Sequence, residues 1–323
     1  EERKQLIKIL PQMVNHIAKT PDPDETLNNL DKFFSNPTGR RVILSKSKED
    51  FRLKLCKVFS LSSYLSTLIS RNPDLVEDVL TLYQDYPEEK ELEEEFEKYK
   101  EILSLSAENL FRRFKTVWEV RIALVYLLKQ EDRYTKLEKF FNRLTLLADF
   151  LMKKLWEHLK IKDHSLVLYA LGKYGSMELT IGSDLDLVFV GKSPSLEEIK
   201  LAQQMIKFIT LHTSEGYLYK LDFRLRPMGS KGELLPSISF YRDYYERTAR
   251  TWERIAWTRA RFIVGDTALK EEFESILKDF LFGKPITEKE RREIRDMRFA
   301  LEGNAKKDKD VVDIKFGKGG LID

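Results

Sequence analysis

Two aspartates one residue apart, Asp184 and Asp186, stand in the stretch G-S-D-L-D-L-V-F, and a third, Asp222, recurs in K-L-D-F-R-L-R-P. Side chains two apart on a strand share a face. The spacing therefore predicts Asp184 and Asp186 on one face, with Leu185 and Leu187 turned into the core. Carboxylates about 6–7 Å apart repel by about 2–3 kcal/mol at an effective dielectric of about 20, a conflict that a divalent cation removes. Hard oxygen ligands that leave positions open for substrate phosphates suit Mg2+.

On a third extended segment Asp222, Arg224 and Arg226 alternate with Leu221, Phe223 and Leu225, which predicts one face made of a carboxylate and two guanidiniums. A third acid can hold a second metal and help deprotonate an incoming hydroxyl, as two-metal phosphoryl or nucleotidyl transfer requires. The arginines can cradle a polyphosphate bidentately. Gly175 and Ser176 are expected to bring backbone N–H groups and a hydroxyl to phosphate oxygens at the N-terminus of a following helix. Alone, a D-x-D is more often a strand-end turn and an R-L-R an edge-strand charge pattern. The specific signal is the order: strand, G-S turn, D-L-D strand, then a later strand with an aspartate between apolar residues.

These residues need a scaffold, and apolar periodicity supplies it. Residues 1–160 read as helices, broken at T-P-D-P-D-E from Thr20, at Asn36-Pro37 and at Asn72-Pro73-Asp74, with two long helices over 107–130 and 135–160. The stretch 82–103 carries a net charge of −6 and reads as a solvated helix with a narrow apolar stripe of Leu92, Phe96, Tyr99 and Leu103. Short apolar runs at 165–171, 185–190 and 217–225 read as strands, 196–212 as a crossover helix, and 237–300 as helix again. The expected class is α+β, a small mixed sheet with helices packed on it. The division expected is a helical region over 1–106, a core over 107–236 and a second helical region over 237–323.

Composition narrows the partners. With 56 Lys+Arg against 53 Asp+Glu, the net charge of +3 excludes a uniform basic coat for nucleic acid. No basic stripe interleaved with aromatics suits single-stranded RNA. Residues 220–261 nevertheless carry a local +5, enough for one triphosphate-sized site. Cys56 is the only cysteine, and His16, His158, His164 and His212 show no zinc-ligand spacing. No apolar run approaches the roughly 18–20 residues that span a bilayer, so a cytoplasmic protein without membrane partners is expected. A first residue other than Met and a Leu-Ile-Asp ending after Gly319-Gly320 suggest a piece of a longer chain.

The stretches L-G-K-Y-G-S-M-E-L (171–179), G-S-D-L-D-L-V-F (182–189), Y-K-L-D-F-R-L-R-P-M-G-S-K-G-E-L (219–234) and T-W-E-R-I-A-W-T-R-A-R-F-I-V-G-D (251–266) carry a resemblance. So do R-N-P-D-L-V-E-D-V-L (71–80) and L-F-R-R-F-K (110–115) upstream. Together they resemble the glutamine synthetase adenylyltransferases, bifunctional adenylyltransferase/adenylyl-removing enzymes built on nucleotidyltransferase domains of the DNA polymerase β superfamily. The resemblance implies a polymerase β-like core flanked by helical regions. It implies Asp184, Asp186 and Asp222 as the catalytic, metal-binding set, Gly175, Ser176, Ser183, Arg224 and Arg226 around nucleotide or phosphate, and Mg2+ as cofactor. Its partners would be ATP and glutamine synthetase, with glutamine and a PII signal protein as regulators.

Such chains hold an AMP-removing and an AMP-adding half, and the motifs here look more like the adding half. AMP transfer from ATP to a glutamine synthetase tyrosine, with release of pyrophosphate, is the expected reaction. Phosphorolytic removal of AMP by the same type of site, and a non-catalytic nucleotide-sensing or docking module, stay open as alternatives. Trp252, Glu253, Arg259 and Arg261 match a family motif on the following helix, readable either as packing or as substrate contact. Gly317, Gly319 and Gly320 match a glycine-rich family segment that continues past residue 323.

Overall fold

A computed structural model describes residues 2–45, 49–73, 76, 85–161, 164–303, 313 and 317. Five helices come first: α1 (Glu2–Ala18), α2 (Pro23–Ser35), α3 (Pro37–Ser45), α4 (Glu49–Leu61) and α5 (Ser63–Arg71). The predicted breaks are caps. Asp22 accepts the Glu25 N–H at 2.9 Å with Pro23 opening α2, Asn36 caps the C-terminus of α2 through its N–H to the Phe33 carbonyl, and Asn72 does the same for α5 through the Leu68 and Ile69 carbonyls. The helix expected after Asn72-Pro73 falls largely outside the described residues.

Among the described residues three more helices follow: α6 (Glu89–Ile102), α7 (Ala107–Leu128) and α8 (Arg133–His158). α7 is buried along most of its length, including Phe111, Phe114 and Trp118. Phe96 of α6 meets Phe111, Phe114 and Phe150 edge-on at centroid distances of 5.1, 5.1 and 5.6 Å. The acidic face stays solvated as expected, with Leu92 and Phe96 buried, and carries ion pairs to its neighbours: Glu88 with Arg143 at 2.7 Å, Glu91 with Arg121 at 2.6 Å, and Glu93 with Lys154.

The sheet begins at β1 (Leu166–Leu171), whose six residues are all buried, and the one-turn α9 (Gly172–Gly175) follows at once. β2 (Leu185–Gly191), the crossover helix α10 (Leu196–Thr210) and β3 (Leu221–Asp222) come next. Ser195 and Glu198 cap α10 reciprocally, Ser195 N–H to Glu198 Oε2 at 2.8 Å and Glu198 N–H to Ser195 Oγ at 3.2 Å. Then come α11 (Ile238–Arg247), α12 (Thr251–Trp257), β4 (Arg261–Gly265), α13 (Thr267–Phe282) and α14 (Glu288–Gly303).

The four strands lie in the order β3-β2-β1-β4. β1 is antiparallel to β2 and β4, and β2 is parallel to β3, so the mixed α+β architecture is as expected. Two expectations fail. The third strand covers only Leu221–Asp222 instead of 217–225, and 237–300 is not all helix, since β4 interrupts it.

The chain forms two compact units that interleave along the sequence. One holds Glu1–Leu155, Met177–Asp184 and Ile206–Lys220; the other holds Trp156–Ser176, Leu185–Met205 and Leu221–Asp323. In the second, Val167, Tyr169 and Leu171 of β1 pack with Tyr241, Tyr245, Trp257 and Phe273 in one apolar cluster. Among the described residues, no helix is long and apolar enough to cross a membrane.

Candidate active site

β1 and β2 end the sheet at the same edge, where Leu171 faces Asp186. The parallel register then sets Asp186 directly beside Asp222, with Leu185 beside Leu221. Period-2 geometry turns Leu185 and Leu187 inward at 0% and 1% exposure and leaves Asp186 half-buried at the sheet end. Asp184 lies one residue ahead of β2, exposed, and belongs to the other compact unit.

Gly172 makes room for the Asp186 carboxylate. It adopts φ +52°, and a Cβ there would lie 2.2 Å from Asp186 Oδ2. Gly175 is used for close packing: a Cβ would meet the Arg259 carbonyl oxygen at 1.9 Å and that of Ala170 at 2.8 Å. Ser176 donates both its N–H and its Oγ–H to the Gly172 carbonyl, each at 3.1 Å. The G-S pair therefore closes the C-terminal end of a single helical turn and does not sit at a helix N-terminus as expected. Met177 at φ +61° turns the chain away, and β2 is the next regular element. Ser183 Oγ accepts the Thr180 N–H at 3.1 Å and shares a 2.8 Å bond with Thr180 Oγ1, a local turn within the first unit.

Asp222 explains why its strand stops. Its Oδ1 accepts the Arg224 N–H at 2.8 Å, a side-chain-to-backbone bond that bends the chain two residues on. The same carboxylate accepts Arg224 Nε at 3.0 and 2.8 Å and Nη2 at 2.5 Å. The side-chain hydrogen bond from Arg224 holds the Asp222 carboxyl below its ordinary range, against some desolvation. The alternating face of one acid and two guanidiniums is thus replaced by a turn.

Arg226 donates to the Gly232 carbonyl at 3.2 and 3.1 Å and to that of Ser230 at 3.3 Å, closing the 226–232 loop, with its guanidinium 5.9 Å from the Phe223 ring centroid. Leu221, Asp222, Phe223, Arg224, Arg226 and Ser230 line an open pocket of about 420 Å³.

The residues of the 251–266 motif divide between helix, turn and strand rather than lying on one helix. Glu253, only 1% exposed, accepts the Tyr244 hydroxyl at 2.9 and 3.1 Å and the Arg250 N–H at 2.8 Å. Tyr244 Oη in turn accepts the Met228 N–H at 3.3 Å, which ties α12 to the loop beside Asp222. Arg261 donates to the Tyr174 carbonyl at 3.1 Å and lies over the Tyr174 ring. These contacts are of the packing kind. Trp252 stands in the wall of a separate open pocket of about 680 Å³ with Arg250, Glu293 and Met297. Gly172 and Tyr244 are the contributors that the motifs did not assign; the glycine at the end of an apolar run was the only signal for either.

Two side-by-side carboxylates fit Mg2+, which takes one or two protein carboxylates and fills its other positions with water and substrate phosphate. Among the described residues no group of three or more His, Cys, Asp or Glu could hold a metal ion, so a three-acid set of the kind expected from the sequence is not found there, and Asp186 and Asp222, adjacent in the register, are the residues that could hold one.

Residues 53–276, which contain Asp184, Asp186, Asp222, Arg224 and Arg226, match the glutamate-ammonia ligase adenylyltransferase family. The chain is 31% identical over 99% of its length to a bifunctional glutamine synthetase adenylyltransferase/adenylyl-removing enzyme of Nitrosomonas europaea, covering 36% of that protein. It is 30% identical over its full length to a protein of the same name from Brucella suis, covering 35% of it, and 29% identical over 99% of its length to one from Chromobacterium violaceum, covering 37%. It thus spans about a third of the length of the curated relatives it matches. The chain belongs to the glutamate-ammonia ligase adenylyltransferase family.

Proposed function

We propose that the chain transfers AMP from ATP to a tyrosine hydroxyl of glutamine synthetase, through a nucleotidyltransferase core of the DNA polymerase β kind. The observation that carries this reading is the register placing Asp186 beside Asp222 next to the Arg224 and Arg226 pocket. The names of the relatives supply the substrate.

Asp186 and Asp222 would hold Mg2+, with Asp184 assigned to the same chemistry by the D-x-D spacing. The ion, when bound, offsets charge on the phosphates and polarises the α-phosphorus. The tyrosine Oη attacks that phosphorus, the bond to the β-phosphate bridging oxygen breaks, and pyrophosphate leaves in line. Asp222 accepts the tyrosine proton and passes it to water. Arg224, whose side chain is 80% exposed, can leave Asp222 and take up phosphate oxygens as substrate arrives. Departure of the guanidinium raises the basicity of Asp222 when a base is needed. Glutamine and a PII signal protein are assigned as effectors on the family resemblance alone.

The test is directional. Glutamine synthetase and α-labelled ATP should yield labelled glutamine synthetase. ADP from adenylylated glutamine synthetase plus phosphate, with no label transfer from ATP, would reverse the assignment. Neither reaction, together with no Mg2+-dependent ATP binding, would leave a docking module.

A further inference from the structure

The chain between Asp222 and Pro236 carries both arginines of the candidate pocket, and its two ends are fixed to β2. Asp222 lies beside Asp186, and the Pro236 carbonyl accepts the Gly191 N–H at 3.0 Å. Between these ends the loop closes on itself. The Gly229 N–H reaches the Arg226 carbonyl at 2.9 Å, the Gly232 N–H reaches that of Gly229 at 3.1 Å, and the Arg226 guanidinium spans the carbonyls of Ser230 and Gly232. In its middle Met228 holds φ +62°, a conformation that crowds a Cβ, and Gly229 follows at φ +60°. Backbone of that kind persists only where its surroundings hold it.

Tyr244 of α11 supplies such a hold. Its Oη accepts the Met228 N–H at 3.3 Å and donates to the buried Glu253 carboxylate at 2.9 Å. Burial, with Glu253 beside it, pushes the Tyr244 hydroxyl above its ordinary range against the pull of the Met228 N–H, so the oxygen keeps its proton for Glu253 and offers a lone pair to Met228. The Tyr244 ring stacks on Phe240 with centroids 5.7 Å apart. On the same helix the Tyr241 hydroxyl donates to the Phe189 carbonyl of β2 at 3.2 Å. The strand that carries Asp186 thus fixes α11, and α11 fixes the loop.

We propose that Tyr244 is a positioning residue: through the Met228 N–H it holds the 223–232 loop in the shape that presents the Arg224 and Arg226 guanidiniums to the triphosphate of the nucleotide. The phosphate role of the arginines rests on the function proposed above, whereas the hold on the loop does not. Tyr244 acts only through the loop, so its loss should weaken phosphate binding and spare the chemical step.

The whole chain carrying Tyr244→Phe is compared with wild type by amide hydrogen exchange, by calorimetric binding of tripolyphosphate in Mg2+, and by transfer kinetics. Peptides covering 223–233 should exchange faster by about tenfold or more, while those covering β1 and α13 stay unchanged. Tripolyphosphate should bind about tenfold more weakly, and KM for ATP should rise about tenfold with kcat within about threefold. Removing the hydroxyl leaves the buried Glu253 short of a donor. If Tyr244→Phe therefore does not fold, Tyr244→Phe with Glu253→Gln carries the test, because a neutral amide replaces the unpaired charge. Glu253→Gln alone keeps the Tyr244 hydroxyl and an oxygen to receive it, and should leave tripolyphosphate binding and KM as in wild type. An equal rise in KM there reduces the effect to general destabilisation and overturns the proposal. Unchanged exchange at 223–233, equal acceleration in every peptide, faster exchange with unchanged tripolyphosphate binding, or a fall in kcat alone also overturns it, as does a wild type that binds no tripolyphosphate. Should wild type transfer no AMP in either direction, the proposed function falls, and exchange together with tripolyphosphate binding still decides the role of Tyr244.

Discussion

The Asp186 carboxylate rests on Gly172, where a Cβ would come within 2.2 Å of Oδ2. The residue that follows β1 thereby makes room for the acid at the second position of β2, and any side chain at 172 must displace it. Gly172→Ala also forces a non-glycine residue to φ +52°, which costs about 1–3 kcal/mol. Thermal unfolding should show that loss, and label transfer in the folded variant should drop by about 100-fold. A variant that is destabilised but fully active would separate Gly172 from the site.

Asp222 and Arg224 give a pH signature. Arg224 holds the Asp222 carboxyl below its ordinary range in the folded state. A depressed folded value means that the pair stabilises the protein above the unfolded carboxylate range and that this contribution is lost as pH falls through the depressed value. Arg224 is 80% exposed, so solvent screens the effect. Arg224→Ala should move the Asp222 carboxyl titration, followed by NMR, to higher pH. A titration that does not move, or moves lower, contradicts the pairing.

Glu253 separates packing from substrate contact. Its carboxylate is buried and accepts from both Tyr244 and the Arg250 backbone. Glu253→Gln weakens those acceptors and should cost about 1–3 kcal/mol in denaturant unfolding, with transfer per folded molecule retained. Lost transfer at unchanged stability would instead put Glu253 in contact with substrate.

Cys56 is 0% exposed, and burial pushes its thiol up to about 11. At pH 8 about one thiol in a thousand is ionised, so a disulfide reagent should find no reactive group in the native protein and one in denaturant. Rapid native modification would mean that α4 opens locally.

Local chemistry was legible in the sequence, and competition between local and distant contacts was not. Asp22-Pro23, Asn36 and Asn72 act as helix caps at the breaks that the sequence marks. The D-L-D pattern turned Leu185 and Leu187 inward, and the third aspartate arrived beside Asp186. The early end of the third strand is not legible, because alternation in L-D-F-R-L-R cannot show that the Asp222 side chain prefers the Arg224 N–H, which bends the chain. β4 is hidden in the sequence because its five residues, R-F-I-V-G, stand between strong helical stripes, although the Asp266 cap after them marks the start of a new helix. The close approach of the Arg259 carbonyl to Gly175 is not legible because the two lie 84 residues apart along the chain.

The most direct test of the central claim is label transfer from α-labelled ATP to glutamine synthetase by Asp186→Asn, measured beside wild type at matched folded concentration. Asparagine keeps the shape against Gly172 and removes the charge. Loss of transfer by about 1,000-fold or more, with stability unchanged, is the result predicted for an acid that holds the catalytic ion. Transfer at the wild-type rate would contradict the account.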